Sequence, residues 1–309
     1  EKRYAGLMSL PPVPPVMPHH IPRFLSHSIN DPKKPKVALV LVDGLSLDQW
    51  IVIRKELSKQ RTDYRFRENA LFAWIPTLTS VSRQAAFAGR PPVYFPDSLH
   101  TTHKEPALWS QFWLDQGLSQ QEIGYAKGLG DGSLKSVEDI IDRPRTRVMG
   151  LIVDKVDKIM HGMQLGAEGM HNQIRQWAGQ PFMVNLMDLL LENGFRVYLS
   201  SDHGNIEAVG CGAPAEGAVA DVRGQRARIY PTSLLRKQVK ENFPKALEWP
   251  PIGLPEDYLP LLAPARSAFV RETEHIVAHG GASIEELIVP LVQIETTNHT
   301  NHTNKFRKP

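Results

Sequence analysis

The stretch FRVYLSSDHGN, residues 195–205, decides the fold. It starts with the apolar, aromatic and β-branched residues of a buried strand, and Gly204 then turns the chain. Asp202 and His203 therefore stand where a strand ends, and α/β proteins gather their ligand-binding side chains at such ends. In isolation an Asp-His-Gly turn is commonly only a turn, so the rest of the chain has to decide between the two interpretations.

Composition indicates a globular protein that is able to bind an anion. The chain has 309 residues, 41% of them hydrophobic, and a net charge of +3, which permits an anionic substrate but does not indicate nucleic-acid binding. It has no apolar run of about 18 residues and no secretory signal, which predicts no membrane span. The single cysteine, Cys211, cannot form an internal disulfide and has no neighbour that would activate it as a nucleophile, so we expect a cytoplasmic location.

The distribution of prolines and polar residues predicts three segments. Residues 1–35 are proline-rich and are expected to form an extended linker, and the first residue is not Met, which indicates a piece of a longer protein. Residues 36–296 are expected to form the catalytic domain, with insertions at about 90–147 and 206–275. The Asn-, His- and Thr-rich residues 297–309 are expected to form a disordered tail.

Hydrophobic patterning predicts a mostly parallel sheet, because the apolar runs are continuous, as in strands buried on both faces. The predicted strands are 37–42, 71–75, 148–153 and 287–294, in addition to the strand before Asp202, and the predicted helices are 47–60 and 167–193. The arginines at 223, 226 and 228 are interpreted as scattered surface charge rather than as a phosphate site.

Other strand ends also carry side chains that bind metals. Asp43 directly follows the first strand, and His279 precedes a Gly-Gly turn. Asp157 and His161 are four residues apart, a spacing that puts both on one face of a helical turn. Asp154, three residues before Asp157, is the alternative carboxylate.

A cluster of hydroxyl residues, 77–82, begins a predicted helix. Thr79 or Ser80 fits the N-cap of that helix. A helix N-terminus also favours anions, so the same hydroxyl group suits a nucleophile that receives a phosphoryl group. The two interpretations are compatible.

The order of these elements resembles that of the alkaline phosphatase superfamily. Within it, VDG at 42–44, PTLTSVSR at 76–83 and HGG at 279–281 look most like the PglZ domain of bacterial BREX and phage-growth-limitation defence systems. The resemblance implies an α/β fold, a three-layer sandwich with a mostly parallel central sheet and small inserted cap segments.

The resemblance also implies two divalent metal ions, with zinc preferred and manganese as the alternative. Thr79 would be the nucleophile and a metal ligand, with Ser80 in reserve. Met160 departs from the pattern, because related mutases and pyrophosphatases often have glycine there. The implied ligands are Asp157, His161 and His279 for one ion, and Asp43, Asp202, His203 and the Thr79 oxygen for the other.

The implied activity is that of a phosphodiesterase or nuclease in phage defence. The chain is too short for the inserted domain of phosphoglycerate mutases, and its Pro-Thr-x-Thr segment is more like that of phosphodiesterases. The expected partners are a phosphate-ester substrate, with nucleic acid as one candidate, and other subunits of a defence complex. The alternatives are a catalytically quiet assembly module and a small-molecule phosphomutase or phosphatase.

Overall fold

A computed structural model of the protein describes residues 2–29, 35–141, 145–163, 165–214 and 224–297. Within these residues the chain forms eleven α-helices and twelve strands. The helices are α1 Lys2–Leu7, α2 Ile21–Ile29, α3 Leu47–Gln60, α4 Thr79–Ala88, α5 Glu105–Asp115, α6 Lys135–Ile141, α7 Lys155–His161, α8 Gly166–Ala178, α9 Pro181–Glu192, α10 Ser233–Asn242 and α11 Ile284–Leu287. The strands are β1 Lys36–Val42, β2 Tyr64–Phe72, β3 Ile123–Leu129, β4 Val148–Val153, β5 Phe195–Ser200, β6 Ile206–Gly210, β7 Ala227–Tyr230, β8 Leu247–Glu248, β9 Leu259–Leu262, β10 Ser267–Ala268, β11 His275–Ala278 and β12 Ile288–Thr296.

A six-stranded sheet in the order β2-β12-β5-β1-β4-β3 forms the centre of the fold. Strands β5, β1, β4 and β3 pair in parallel, and β12 runs antiparallel to both of its neighbours. Successive side chains of a strand point to opposite faces. Val40 packs in a core with α3, α8 and α9, whereas Leu41 packs in a second core with α2, α4 and α5. The expected α/β sandwich with a mostly parallel sheet is confirmed.

Strand register aligns the ends of the central strands at one edge. Val42 of β1 lies opposite Val153 of β4, and Leu41 lies opposite Ser200 of β5. The residues that follow β1, β4 and β5 therefore leave the sheet side by side. Ligands bind at this carboxyl edge in open α/β sheets.

Two three-stranded sheets, β10-β6-β11 and β7-β9-β8, complete the fold. Strands β6 and β11 are antiparallel, and Ile206 is paired with Ala278. The residues just before β6 consequently lie next to those just after β11. This pairing brings the Asp202-His203 turn close to His279.

The expectation of an extended linker at residues 1–35 is wrong for its described part. Helices α1 and α2 occur there, and Met17, Ile21 and Leu25 are fully buried against the cores. The Tyr4 hydroxyl donates to the Ala73 carbonyl and accepts the Ile75 N–H, each at 2.9 Å. Proline frequency misled the prediction, because Pro18 and Pro22 occupy helix starts, where the missing N–H has no intrahelical partner.

Two predictions of strand position need correction. The strand expected at 71–75 is β2, Tyr64–Phe72, which ends earlier and contains exposed charged residues, as an edge strand can. Residues 90–147 are not only an insertion, because β3 in that region is the other edge of the central sheet. Its sequence, IGYAKGL, lacks the apolar run by which the other parallel strands were recognised.

The single helix expected at 167–193 is two helices, α8 and α9. Pro181 begins α9, and Gln180 before it has an extended backbone, as residues before proline usually do.

The expectation of surface charge is wrong for Arg226, which is 1% exposed, and position 223 lies outside the described residues. The tail expected at 297–309 lies outside the described residues beyond Thr297. No helix in the described ranges is long and apolar enough to cross a membrane.

Candidate functional site

Three buried side chains at the carboxyl edge of the sheet form what we call the inner group: Asp43, Asp202 and His203. One nitrogen or oxygen atom from each lies within 4.8 Å of those of the other two. Asp43 follows β1, and the other two follow the neighbouring strand β5. Oδ1 of Asp202 accepts the backbone N–H groups of Gly44 and His203, each at 3.1 Å, so its orientation is fixed.

A second set, the outer group, consists of Asp157, His161 and His279, again with atoms within 4.8 Å of one another. Helix α7 supplies the first two, and Nε2 of His161 lies 3.2 Å from Oδ1 of Asp157. His279 follows β11. Its ring stacks on that of His203 with centroids 3.9 Å apart, so the two groups adjoin.

Backbone carbonyls fix the orientation of two histidines. Nδ1 of His203 lies 2.9 Å from the Gly204 carbonyl oxygen, and Nδ1 of His279 lies 2.8 Å from that of Thr77. A carbonyl oxygen only accepts, so each Nδ1 carries a proton, and in the neutral ring Nε2 holds the lone pair. This arrangement is typical of metal-ligating histidines.

Thr79 is the first residue of α4, and its hydroxyl oxygen lies 2.9 Å from Nε2 of His203. The N-cap position belongs to Leu78, so the N-cap interpretation of Thr79 and Ser80 is wrong. The Ser80 hydroxyl is buried and has no hydrogen-bond partner within the described residues. Ser80 therefore stays an alternative nucleophile.

Arg83 is a site residue that the sequence interpretation did not select. Its guanidinium is buried between two carboxylates. Nη1 donates to Asp43, and Nε donates to Glu105 at a distance of 2.6 Å. The Tyr125 hydroxyl donates to the other Glu105 oxygen at 3.0 Å. Arg83 lies four residues after Thr79 and hence on the same face of α4, which is the sequence signal that could have identified it.

A second buried ion pair supports the turn that carries His279. Arg226 donates through Nε to Glu286 at 3.0 Å, and that carboxylate also accepts the Gly281 N–H at 2.8 Å. The Thr77 hydroxyl donates to the Gly281 carbonyl at 3.0 Å and accepts the Gly280 N–H at 2.9 Å. The segment before the nucleophile and the turn after β11 are thus held together.

Two adjoining cavities open at the site. A cavity of about 200 Å³ is lined by Thr79 and Ser80, and by a loop that the sequence interpretation did not select, His100 to Thr102. A larger one of about 550 Å³ extends past His161. Both are lined by Asp43, Arg83 and Asp157.

The donor set fits two divalent cations. Oδ1 of Asp43 and Oδ2 of Asp202 are buried without a hydrogen-bond partner among the described residues. Each of these oxygens lies 3.8 Å from Nε2 of His203. Buried carboxylate oxygens normally have partners, and a set of carboxylates and imidazoles suits zinc or manganese.

The environment shifts the pKa values of the acidic groups in opposite directions. Burial, with the charge of Asp43 in addition, raises the pKa of Asp202 well above its ordinary value. Burial alone would also raise the pKa of Asp157, but the hydrogen bond and charge of His161 hold it below its ordinary value. A cation beside Asp202 would compensate the charge that burial disfavours.

The structure brings together all of the predicted site residues. Asp154 lies outside both groups and pairs with Lys158 at 2.9 Å, so Asp157 is the carboxylate next to the outer histidines. The roles of the seven predicted site residues as metal ligands and nucleophile stay predictions. The predicted site residues are Asp43, Thr79, Asp157, His161, Asp202, His203 and His279.

This fold is that of the alkaline-phosphatase-like phosphoesterases. Murine ectonucleotide pyrophosphatase/phosphodiesterase 5 aligns with a TM-score of 0.61 and 12% identity over 83% of this chain and 87% of that chain. An inactive threonine-to-alanine variant of the murine protein in complex with AMP aligns equally well, over 84% of this chain and 87% of that one. The human protein aligns with a TM-score of 0.50 and 13% identity over 83% and 87% of the two chains.

The chain itself belongs to the PglZ family, described as the BREX system PglZ alkaline phosphatase-like domain, whose model matches residues 23–294. No curated protein sequence matches the chain. The family match and the fold together support a phosphoesterase-type hydrolase.

Proposed function

We propose that this protein is a metal-dependent phosphodiesterase that uses Thr79 as its nucleophile. One observation carries the proposal: the Thr79 hydroxyl bonds His203 of the inner group and lines a cavity with Asp43 and Asp157, one carboxylate from each group. A hydroxyl so arranged has the surroundings that phosphoryl transfer requires. The helix start at Thr79 also favours an anion.

In the proposed reaction the Thr79 oxygen attacks phosphorus and the bond to the leaving oxygen breaks. The hydroxyl proton passes to solvent, and the leaving oxygen is protonated from solvent. Water then hydrolyses the phosphothreonine, releasing the second product and restoring the hydroxyl. Two divalent cations, zinc or else manganese, supply positive charge that stabilises the attacking and leaving oxygens when bound by the two groups.

Arg83 would contact the phosphoryl group in this reaction. Guanidinium has five N–H groups, more than the bonds to Asp43 and Glu105 use, and Arg83 lines the small cavity. Such an N–H donates to a non-bridging oxygen, where charge develops in the transition state. Its two carboxylate partners hold the guanidinium in place before substrate binds.

The comparisons favour a phosphodiester substrate in phage defence. The family description refers to the BREX system, so we propose other subunits of a cytoplasmic bacterial defence complex as partners. The structurally similar ENPP5 is a pyrophosphatase/phosphodiesterase, and its threonine-to-alanine variant is inactive and was solved in complex with AMP. A threonine nucleophile and a nucleotide-containing substrate, nucleic acid included, agree with these properties of ENPP5.

The test is hydrolysis of bis(p-nitrophenyl) phosphate by protein stripped of metal and then supplied with zinc or manganese. Turnover should require added metal and fall by about 10³-fold or more in Thr79→Ala, because covalent catalysis is lost. Ser80→Ala is the matched control and should keep most of the activity. If Thr79→Ala remains active and Ser80→Ala does not, Ser80 is the nucleophile. If the metal-loaded wild-type protein hydrolyses neither diesters nor monoesters, the result favours an assembly module.

A further inference from the structure

The larger cavity reaches beyond the space that one phosphoryl group needs. Its volume is about 550 Å³, against about 200 Å³ for the cavity at Thr79. Ligand pockets commonly measure about 300–1,000 Å³. The two cavities share Asp43, Arg83 and Asp157 in their lining, so a substrate with its reacting phosphorus at Thr79 would have the larger cavity beside it.

Lys127 lies on the wall of that cavity because β3 is irregular there. The pairing of β3 with β4 shifts between Ala126 and Leu129, and Gly128 has a φ of 76°, which favours glycine. Bulges of this kind redirect side chains next to active sites. Lys127 has no ion pair with any described residue, and it is one of the residues that line the larger cavity.

Lys158 approaches the same cavity from α7, the helix that carries Asp157 and His161. It pairs with Asp154 at 2.9 Å, one helical turn away, and its side chain is 60% exposed. Pairs this exposed contribute little, so the ammonium group can exchange its partner for a ligand. The rest of the lining comprises Arg83, His161, Gly128, Ile152 and three carboxylates, Asp43, Asp154 and Asp157.

We infer that this cavity binds a second phosphate group of the substrate, next to the one that reacts, through Lys127 and Lys158. The inference rests on the proposed function. Lysine binds phosphate as a point charge, and two lysines flanking the exit from a phosphoryl-transfer site match the charge of a second phosphate. A second phosphate occurs in two kinds of substrate, a nucleoside polyphosphate and a nucleic acid with a neighbouring phosphodiester. A model diester with a single phosphate lacks this second group.

The experiment compares three substrates of the metal-loaded full chain: bis(p-nitrophenyl) phosphate, ATP and the trinucleotide TpTpT. The variants are Lys127→Ala and Lys158→Ala. The matched control is Lys155→Ala, one turn earlier on α7, whose ammonium group pairs with Asp131 and is not part of the cavity lining. We expect Lys127→Ala to lower kcat/KM at least about 10-fold more for ATP or TpTpT than for the single-phosphate diester, the size of one charge-assisted contact.

The substrate that shows the differential loss identifies the source of the second phosphate. Equal losses on all three substrates, or a differential loss in Lys155→Ala, would overturn the inference while leaving the proposed function intact. Binding gives an independent readout. Calorimetry should show that Lys127→Ala weakens the binding of inorganic pyrophosphate more than the binding of inorganic phosphate. If wild type hydrolyses none of the substrates, the proposed function fails, and the pyrophosphate comparison alone then decides whether the cavity binds a second phosphate.

Discussion

The inner and outer groups contain similar side chains but are built from different parts of the fold. Every member of the inner group follows a central strand and is buried, with side-chain exposures of 7% for Asp43 and 0% for Asp202 and His203. The outer group combines a seven-residue helix with the end of a small sheet, and the His161 side chain is 29% exposed. The inner group is therefore preorganised, whereas the outer group depends on peripheral elements.

This difference indicates that the fold holds the side chains of the inner group rigidly and allows those of the outer group to move. Adjacent strands of a buried sheet are among the most stable parts of a protein, and short exposed helices open more readily. We therefore expect the inner group to hold its cation more firmly and the outer group to lose its cation first.

Arg83→Met tests whether Arg83 stabilises the inner group, and it should have the largest effect of the three site variants compared below. The change leaves Asp43 and Glu105 buried without their shared cation, which should lower the free energy of unfolding by about 3–5 kcal/mol. Urea denaturation measures the change. The control Arg90→Met removes an exposed pair with Asp115, whose side chains are 54% and 40% exposed, and should cost about 0–1 kcal/mol. Similar losses in both variants would show that Arg83 does not brace the inner group.

Asp202→Asn separates the chemical role of the inner group from its structural role. Phosphodiester turnover should fall by about 10²–10³-fold, the usual effect of losing one preorganised group that acts on the transition state. Because burial raises the pKa of Asp202, stability is lost as pH rises through that pKa and the carboxylate ionises. The asparagine variant has no such loss, so the metal-free protein at pH 7 should melt no lower than wild type. A lower melting temperature in chelator would contradict a role centred on metal binding.

His161→Gln probes the outer group and should have the smallest effect. We expect about a tenfold drop in turnover, at the lower end of the range for altered metal sites, because the imidazole is partly exposed and water can replace it. Metal analysis after dialysis should find the outer cation reduced while the inner one is retained. Equal loss of metal in His161→Gln and Asp202→Asn would remove the distinction between the two groups.

The strand ends could be predicted from the sequence because their signals are local. The runs before Asp43 and Asp202 are apolar and end in a turn, and the resulting strands β1 and β5 pair as neighbours. The four-residue spacing of Asp157 and His161 likewise needs no knowledge of distant contacts. Each of these residues is identified by the residues next to it in the chain.

The parts that were missed depend on contacts between distant segments. Glu105 and Tyr125 lie in a region interpreted as an insertion, so nothing local indicates that they hold Arg83. Lys127 lines the cavity at a shift of strand pairing that depends on β4. Strand β2 was predicted at the wrong bounds because an edge strand can expose charged residues, and most of its sequence then lacks a clear apolar pattern.

The position of β12 has a consequence for protein synthesis. It is the last strand of the described chain, yet it lies between β2 and β5 in the central sheet, and His279 comes only nine residues before it. A nascent chain that ends before His279 has neither the strand that joins β2 to the parallel strands nor a complete outer group. The phosphoesterase centre that we propose is thus complete only after the last strand of this domain has been synthesised.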